Sequence, residues 1–346
     1  MTTTKSTTST MKAIVQVGYG PPERVLKMRE IDRPSLGNED VMVRVRATSV
    51  NTPDWITVSG IPYILRLQSG LRRPKTQVRG TDVAGVVEAV GTQVSDFRPG
   101  DEVFGSSWAG SEATPGTFAE FTVVPASQLA AKPLNVTFEE AAASVMSGIT
   151  ALIAMRDVGK VAPGSHVMIN GASGGVGTLA VQIAKAIGAE VTGVSSTKNL
   201  EFVRSLGADH VIDYTREDFT RGEPRYDVIL DNVMNHPPSV TSKVLTPTGI
   251  MIPNSIGNSG GLMAGLMRGA RAALLARGST NVKFVKCVVN REHLDALATL
   301  LQSGEVKVTI DETYQLSDAA DAVAHMLGHH ARGKIAISVF AGSSSS

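Results

Sequence analysis

The stretch Ser165–Lys198, SHVMINGASGGVGTLAVQIAKAIGAEVTGVSSTK, constrains the architecture more than any other part of the chain. Ser165–Asn170 is short and apolar and runs straight into Gly171-Ala-Ser-Gly174-Gly175-Val-Gly177. Val176, Leu179, Ala180, Ile183 and Ile187 then recur at helical spacing until Gly188, which predicts strand, glycine turn and helix. Ala189–Ser196 reads as a second strand, so the unit is a βαβ crossover. Glycines at such a turn let the backbone approach a pyrophosphate at the positive end of the helix. Ser173, Gly174, Gly175, Val176 and Gly177 are therefore candidate dinucleotide contacts.

A site for NAD wants an acid at the end of the second strand, about 20 residues past the glycines, to accept from the ribose 2′-hydroxyl. This chain offers Ser195, Ser196, Thr197 and Lys198. Hydroxyls and an ammonium suit a 2′-phosphate. The expected cofactor is NADP(H), with Ser195, Ser196 and Lys198 as contacts; the plainer alternative is a polar strand end with a solvated lysine.

The alternation continues through helix Asn199–Leu206 and strands His210–Asp213, Tyr226–Asn232, Gly249–Pro253 and Asn281–Val289. Six parallel-type strands complete a doubly wound Rossmann sheet over residues 138–290. Asn232 and Asn254 end strands on the side where ligands bind such sheets, which makes them candidate ribose or nicotinamide contacts. Phe138–Val158 reads as a helix pair joined at Ser147-Gly148-Ile149-Thr150-Ala151. Gly260–Gly278, amphipathic and basic on one side, is open to three readings: core helix, pocket wall or dimer surface.

From Met11 to 137 the pattern changes to short β-type runs, Lys12–Val17, Asp40–Val50, Asp82–Val90, Asp101–Gly105 and Phe118–Val124, punctuated by glycine and proline. Asn51–Arg72 is irregular and is expected to form a mobile loop over a site. Residues 291–340 hold further helices and strands that return to this β-rich domain; residues 1–10 and 341–346 read as a disordered leader and tail. The net charge of +1 gives no electrostatic reason for nucleic acid or a membrane as the main partner. No run of about 18 apolar residues is evident, so no membrane span is expected. The single cysteine, Cys287, excludes a disulfide framework and a cysteine-rich metal site, and the chain reads as cytoplasmic.

The Gly80-Thr-Asp-Val-Ala-Gly85-Val-Val-Glu-Ala-Val-Gly91 stretch, the Gly100-Asp101-Glu-Val-Phe turn, the glycine-rich fold and Leu206-Gly-Ala-Asp-His-Val-Ile-Asp-Tyr214 resemble the medium-chain dehydrogenase/reductase superfamily. The similarity, from about Met11 to Val339, is to its zinc-independent quinone oxidoreductase and enone reductase branch. It implies an α/β fold: a Rossmann domain, 138–290, beside a discontinuous GroES-like domain, 11–137 and 291–340. It also implies a homodimer paired through Asn281–Val289. Where zinc-dependent relatives have cysteine, histidine and cysteine ligands, this chain has Asn51, Thr81 and no cysteine near Met146. A zinc alkoxide mechanism is therefore not expected.

Without a metal, the substrate must accept hydride unaided, as quinones and α,β-unsaturated carbonyls do by moving negative charge onto an oxygen. The expected activity is NADPH-dependent reduction of such a small molecule. By the same resemblance, Thr150 stands near the nicotinamide carboxamide, Tyr214 beside the adenosine, and Gly333-Lys334 in a segment that returns to the cofactor. Asn51 and Asp54 match an Asn-x-x-Asp pattern, with Asn51 either a donor to the carbonyl oxygen or an orienting group on the nicotinamide side of the pocket, and Asp54 a tie for the loop. Relatives place a tyrosine soon after this pattern; here Ile56 stands there and Tyr63 is the remaining candidate acid. His325, His329 and His330 read as a solvated helix end, and Arg72-Arg73-Pro-Lys75 as a solvated loop. An enoyl-thioester reductase with Arg268 and Arg271 as contributors, or a non-catalytic NADPH-binding scaffold, are the other readings.

Overall fold

The computed structural model describes residues 9–339 except 62, 64–65, 110–111, 114, 222, 224, 256–280 and 329–330. The Gly260–Gly278 segment with Arg268 and Arg271, the tail, His329, His330 and leader residues 1–8 lie outside the described residues. Thr10 does not belong to the leader, because it opens the first strand, Thr10–Gln16.

The chain divides into two compact units: residues up to Met146 with Val289–Ala298 and from Ile310 onward, and Ser147–Val288 with Thr299–Thr309. The first is built on a seven-stranded sheet. Asp40–Ser49 lies at its centre, antiparallel to Asp82–Val90, Phe121–Pro125 and Lys334–Ser338. Val41, Val43 and Val45 alternate along that central strand into an apolar cluster with Val83, Val87, Val103 and Leu129, the period-two pattern of a strand with one buried face. Ile310–Gln315 pairs in parallel with Lys334–Ser338, so the C-terminal residues complete this unit. Leu26–Asp32, which the periodicity missed, pairs with Thr10–Gln16.

Two expectations about helices are corrected. Asn51–Arg72 holds helix Thr52–Ser59, begun after Asn51 with proline in its first turn and closed by Gly60, and the short turn Arg66–Ser69. Phe138–Leu152 is one continuous helix, with Thr150 buried inside it and no junction at Gly148. Its alanines and serines are buried, and close packing outweighs the helix-breaking tendency of one glycine. The break comes later, in the wide turn Ile153–Val158, where the Gly159 amide donates to the Ala154 carbonyl at 2.8 Å. By length and composition, Phe138–Val158 could also cross a bilayer, contrary to the sequence expectation, but 78% of its apolar window is buried inside the protein, as in a core helix.

The second unit holds a five-stranded, all-parallel sheet in the order His210–Asp213, Glu190–Ser195, His166–Asn170, Tyr226–Asp231, Leu245–Pro253. The strand order reverses between His166–Asn170 and Tyr226–Asp231, which is the switch point where doubly wound sheets take ligands. The expected sixth strand, Asn281–Val289, is reduced to a single parallel bridge, Met251 to Val282. Its Phe284 and Val288 are exposed, and the segment forms no ladder beyond that bridge among the described residues.

Candidate cofactor site and a buried polar network

In the second unit, strand His166–Asn170 delivers the chain into the glycine turn, and helix Gly175–Ile187 begins beyond it. Gly177 is required by the turn itself: a β-carbon there would lie 2.1 Å from the Gly171 carbonyl oxygen and 2.8 Å from Ala172 Cα. Gly174 is different, because a β-carbon there would meet nothing closer than 3.5 Å, again the Gly171 oxygen. The space above Gly174, at the positive end of a 13-residue helix, fits a pyrophosphate.

Ser173 is held at this turn by Ser195, whose hydroxyl donates to Ser173 Oγ at 2.9 Å, and by Asn199 Nδ2 at 3.2 Å. Ser196 and exposed Lys198 follow directly after strand Glu190–Ser195. The nearby carboxylate of Asp213 is already occupied: Thr197 and Thr215 hydroxyls donate to it and hold it below the usual carboxylate range, and Arg216 lies 3.5 Å away. Tyr214 is 52% exposed at the same edge. Hence the glycine turn, Ser173, Ser195, Ser196, Lys198 and Tyr214 gather around neighbouring strand ends.

Asn232 and Asn254 also meet: Asn254 Nδ2 donates to Asn232 Oδ1 at 2.8 Å, and Asn232 Nδ2 to the Asn170 carbonyl at 3.1 Å. Beneath them is a residue the sequence reading missed, Asp231, buried at the switch point. Asn170 Nδ2 and the Val233 and Met234 amides donate to its Oδ1, while burial raises its pKa. A charged residue ending the apolar run Tyr226–Asp231 was the available signal.

The first unit contains a second constellation, centred on Asn51. Lys334 Nζ donates to Asn51 Oδ1 at 2.6 Å and to the Val50 carbonyl at 3.0 Å. Asn51 Nδ2 in turn donates to Asp82 Oδ2 at 2.7 Å and Thr81 Oγ1 at 3.2 Å, and Ser49 Oγ donates to the same Asp82 oxygen at 2.8 Å. Burial pushes Asp82 up and Lys334 down, each toward its neutral form, while their mutual attraction opposes both shifts. Asp54 accepts from the Asn51 amide at 2.8 Å and the Gly80 amide at 3.2 Å. Its pKa is raised to about 7, chiefly by burial, with the hydrogen bond from the Asn51 amide and then the charge of Arg79 opposing.

Asn51 and Asp54 are thus brought together, and Lys334 joins them in the first unit as a buried amine. Tyr63 does not enter this network; it is 68% exposed, with the Arg66 guanidinium 4.6 Å from its ring. Thr81, Asp82, Ser49 and Arg79 were absent from the sequence-derived site. Asp82, a charge opening a strand whose next five residues are apolar or glycine, was the clue to them.

A Rossmann unit joined to a β-rich unit with this polar centre defines a nicotinamide-dependent oxidoreductase. Residues 37–134 match the Alcohol dehydrogenase GroES-like domain family and 206–337 the Zinc-binding dehydrogenase family. The chain is 32% identical over 343 residues to a chloroplastic quinone-oxidoreductase, QR1, of Triphysaria versicolor, covering 94% of this chain and 98% of that one. It is also 32% identical over 370 residues to the mitochondrial NAD(P)H oxidoreductase RTN4IP1 of Mus musculus, covering 98% and 92%. The solved quinone oxidoreductase of Coxiella burnetii superposes with a TM-score of 0.83 at 27% identity, covering 96% of this chain and all of that one. The chain belongs to the quinone oxidoreductase branch of the medium-chain dehydrogenase/reductase superfamily.

Proposed function

We propose that this oxidoreductase is a zinc-independent enzyme that prefers NADPH and reduces quinones or the activated double bond of α,β-unsaturated carbonyls. The observation that carries the reading is the Lys334–Asn51–Asp82 chain. The Lys334 amine, 2.6 Å from the Asn51 oxygen, stands where zinc-dependent relatives place a ligand. The donor set Asn51 and Thr81 is, besides, poorly suited to that ion. Preference for NADPH is supported by Ser196 and Lys198 at a strand end whose nearby carboxylate, Asp213, is already committed to the Thr197 and Thr215 hydroxyls and to Arg216.

A reduced nicotinamide, when bound, supplies hydride. The second unit's role is to hold it: the open face at Gly174 takes the pyrophosphate, Ser196 and Lys198 the 2′-phosphate, and Tyr214 flanks the adenosine, while Ser195 is buried and positions Ser173. In the first unit, both amide protons of Asn51 are engaged, so Asn51 is a positioning residue. Thr81 accepts from Asn51, and its own O–H meets no acceptor among the described residues. In this reading, Thr81 donates to the substrate oxygen on which negative charge develops.

The test is NADPH oxidation against an ortho-quinone, a para-quinone, a simple enone, an enoyl thioester and a saturated aldehyde, each repeated with NADH and with a chelator. Turnover of one unsaturated class, with NADPH favoured and chelator without effect, is expected. Loss of activity with chelator, or turnover of the aldehyde alone, would sink the reading.

A further inference from the structure

The near-zero net charge of the chain conceals a local imbalance. Between Trp55 and Thr81 there is no carboxylate, while Arg66, Arg72, Arg73, Lys75 and Arg79 all fall within it. The acids that bracket this stretch, Asp54 and Asp82, are buried and committed to the Asn51 network.

The same stretch displays apolar side chains outward. Tyr63, Leu67 and Leu71 are 68%, 68% and 69% exposed. They recur every fourth residue, and Arg72, Arg73 and Lys75, all exposed, follow at once. Polar contacts tie the stretch to the rest of the unit. Tyr19 OH donates to the Gly70 carbonyl at 2.7 Å, Arg66 Nε donates to the Gly60 carbonyl at 2.8 Å, and the Arg66 guanidinium lies 4.3 Å from the Tyr19 ring. The segment is tied to the unit by its hydrogen bonds, with Tyr63, Leu67 and Leu71 left in water. Folding gains nothing from that exposure, and apolar groups rimmed by cations are the composition of an interfacial anchor.

We propose that Tyr63 and the stretch 66–75 dock this protein on an anionic lipid bilayer, with Tyr63, Leu67 and Leu71 entering the headgroup boundary and Arg72, Arg73 and Lys75 meeting lipid phosphates. Charge complementarity selects this occupant: Arg66, Arg72, Arg73 and Lys75, without a single acid between them, repel a second copy of the same segment and attract a negative surface.

The test is co-sedimentation of the full chain with vesicles of phosphatidylcholine alone or with about 30% phosphatidylglycerol, at low salt and at about 0.5 M, where exposed charges are screened. Selective binding to the anionic vesicles, reduced by salt, is expected. Leu67→Glu/Leu71→Glu and Arg72→Glu/Arg73→Glu should each weaken it by about tenfold or more, with unchanged circular dichroism. Equal partition into both vesicles, no binding, or binding indifferent to both double variants overturns the proposal. So does light scattering that shows an oligomer dissociated by Leu67→Glu/Leu71→Glu in the absence of vesicle binding, because the patch would then belong to a second copy.

Discussion

At neutral pH the Asp54 carboxyl is poised between its two forms, because burial raises its pKa from 3.8 to about 7. Between those values the native state keeps a proton that the unfolded chain has released. Asp54 therefore contributes stability that is fully present below 3.8 and is lost as pH rises through 7. The span corresponds to roughly 4 kcal/mol. Asp54→Asn should flatten the pH dependence of urea unfolding between those limits; an unchanged slope would assign it to other carboxyls. The adjacent Thr81 offers a kinetic counterpart. Thr81→Val is expected to lower kcat by about 10–100-fold with NADPH affinity unchanged, and Thr81→Ser to recover most of it. Equal losses in both variants would mean that the hydroxyl only packs.

The element that governs the second unit is the glycine turn, and its glycines have separable tasks. Gly177→Ala pushes a β-carbon to 2.1 Å from the Gly171 oxygen, so the strand and helix must part; a loss of about 1–3 kcal/mol in thermal unfolding is expected. Gly174→Ala has room in the fold, at 3.5 Å, and its extended backbone suits alanine. Its cost should fall on the ligand instead: an unchanged melting temperature with NADPH binding weakened about tenfold or more. A Gly174→Ala variant that binds NADPH normally would move the pyrophosphate elsewhere. Both glycines were legible as a motif in the sequence, but their division of labour was not, because it depends on which atoms lie opposite each one.

For the whole molecule, the open question is the edge of the parallel sheet. Leu245–Pro253 is its last strand, joined only by a bridge to Val282, with Phe284 and Val288 exposed just beyond. Such edges invite pairing with another chain. Light scattering should return twice the 36.3 kDa chain mass, and Phe284→Asp should shift it to the monomer; a monomeric native chain would remove the expected dimer.

Local pattern was sufficient for the parts that interact with near neighbours. The strand, turn and helix of 165–188 follow from periodicity and glycine placement, and Asp40–Ser49 and Asp82–Val90 from period-two alternation, because backbone geometry dictates both signals within a few residues. Helix Thr52–Ser59 and the unbroken helix through Gly148 were misread, since tertiary packing outweighs weak local propensity. Lys334 shows the same limit at the site. Beside Gly333 it reads as a segment returning to the cofactor, and nothing local shows that it also donates to Asn51, 283 positions away in the chain. The sequence alone determined that a dinucleotide turn exists and that cysteine ligands for zinc do not. Only the tertiary structure decided that Lys334, Asn51 and Asp82 form one buried chain, because burying each charge is costly until folding supplies the other as its partner.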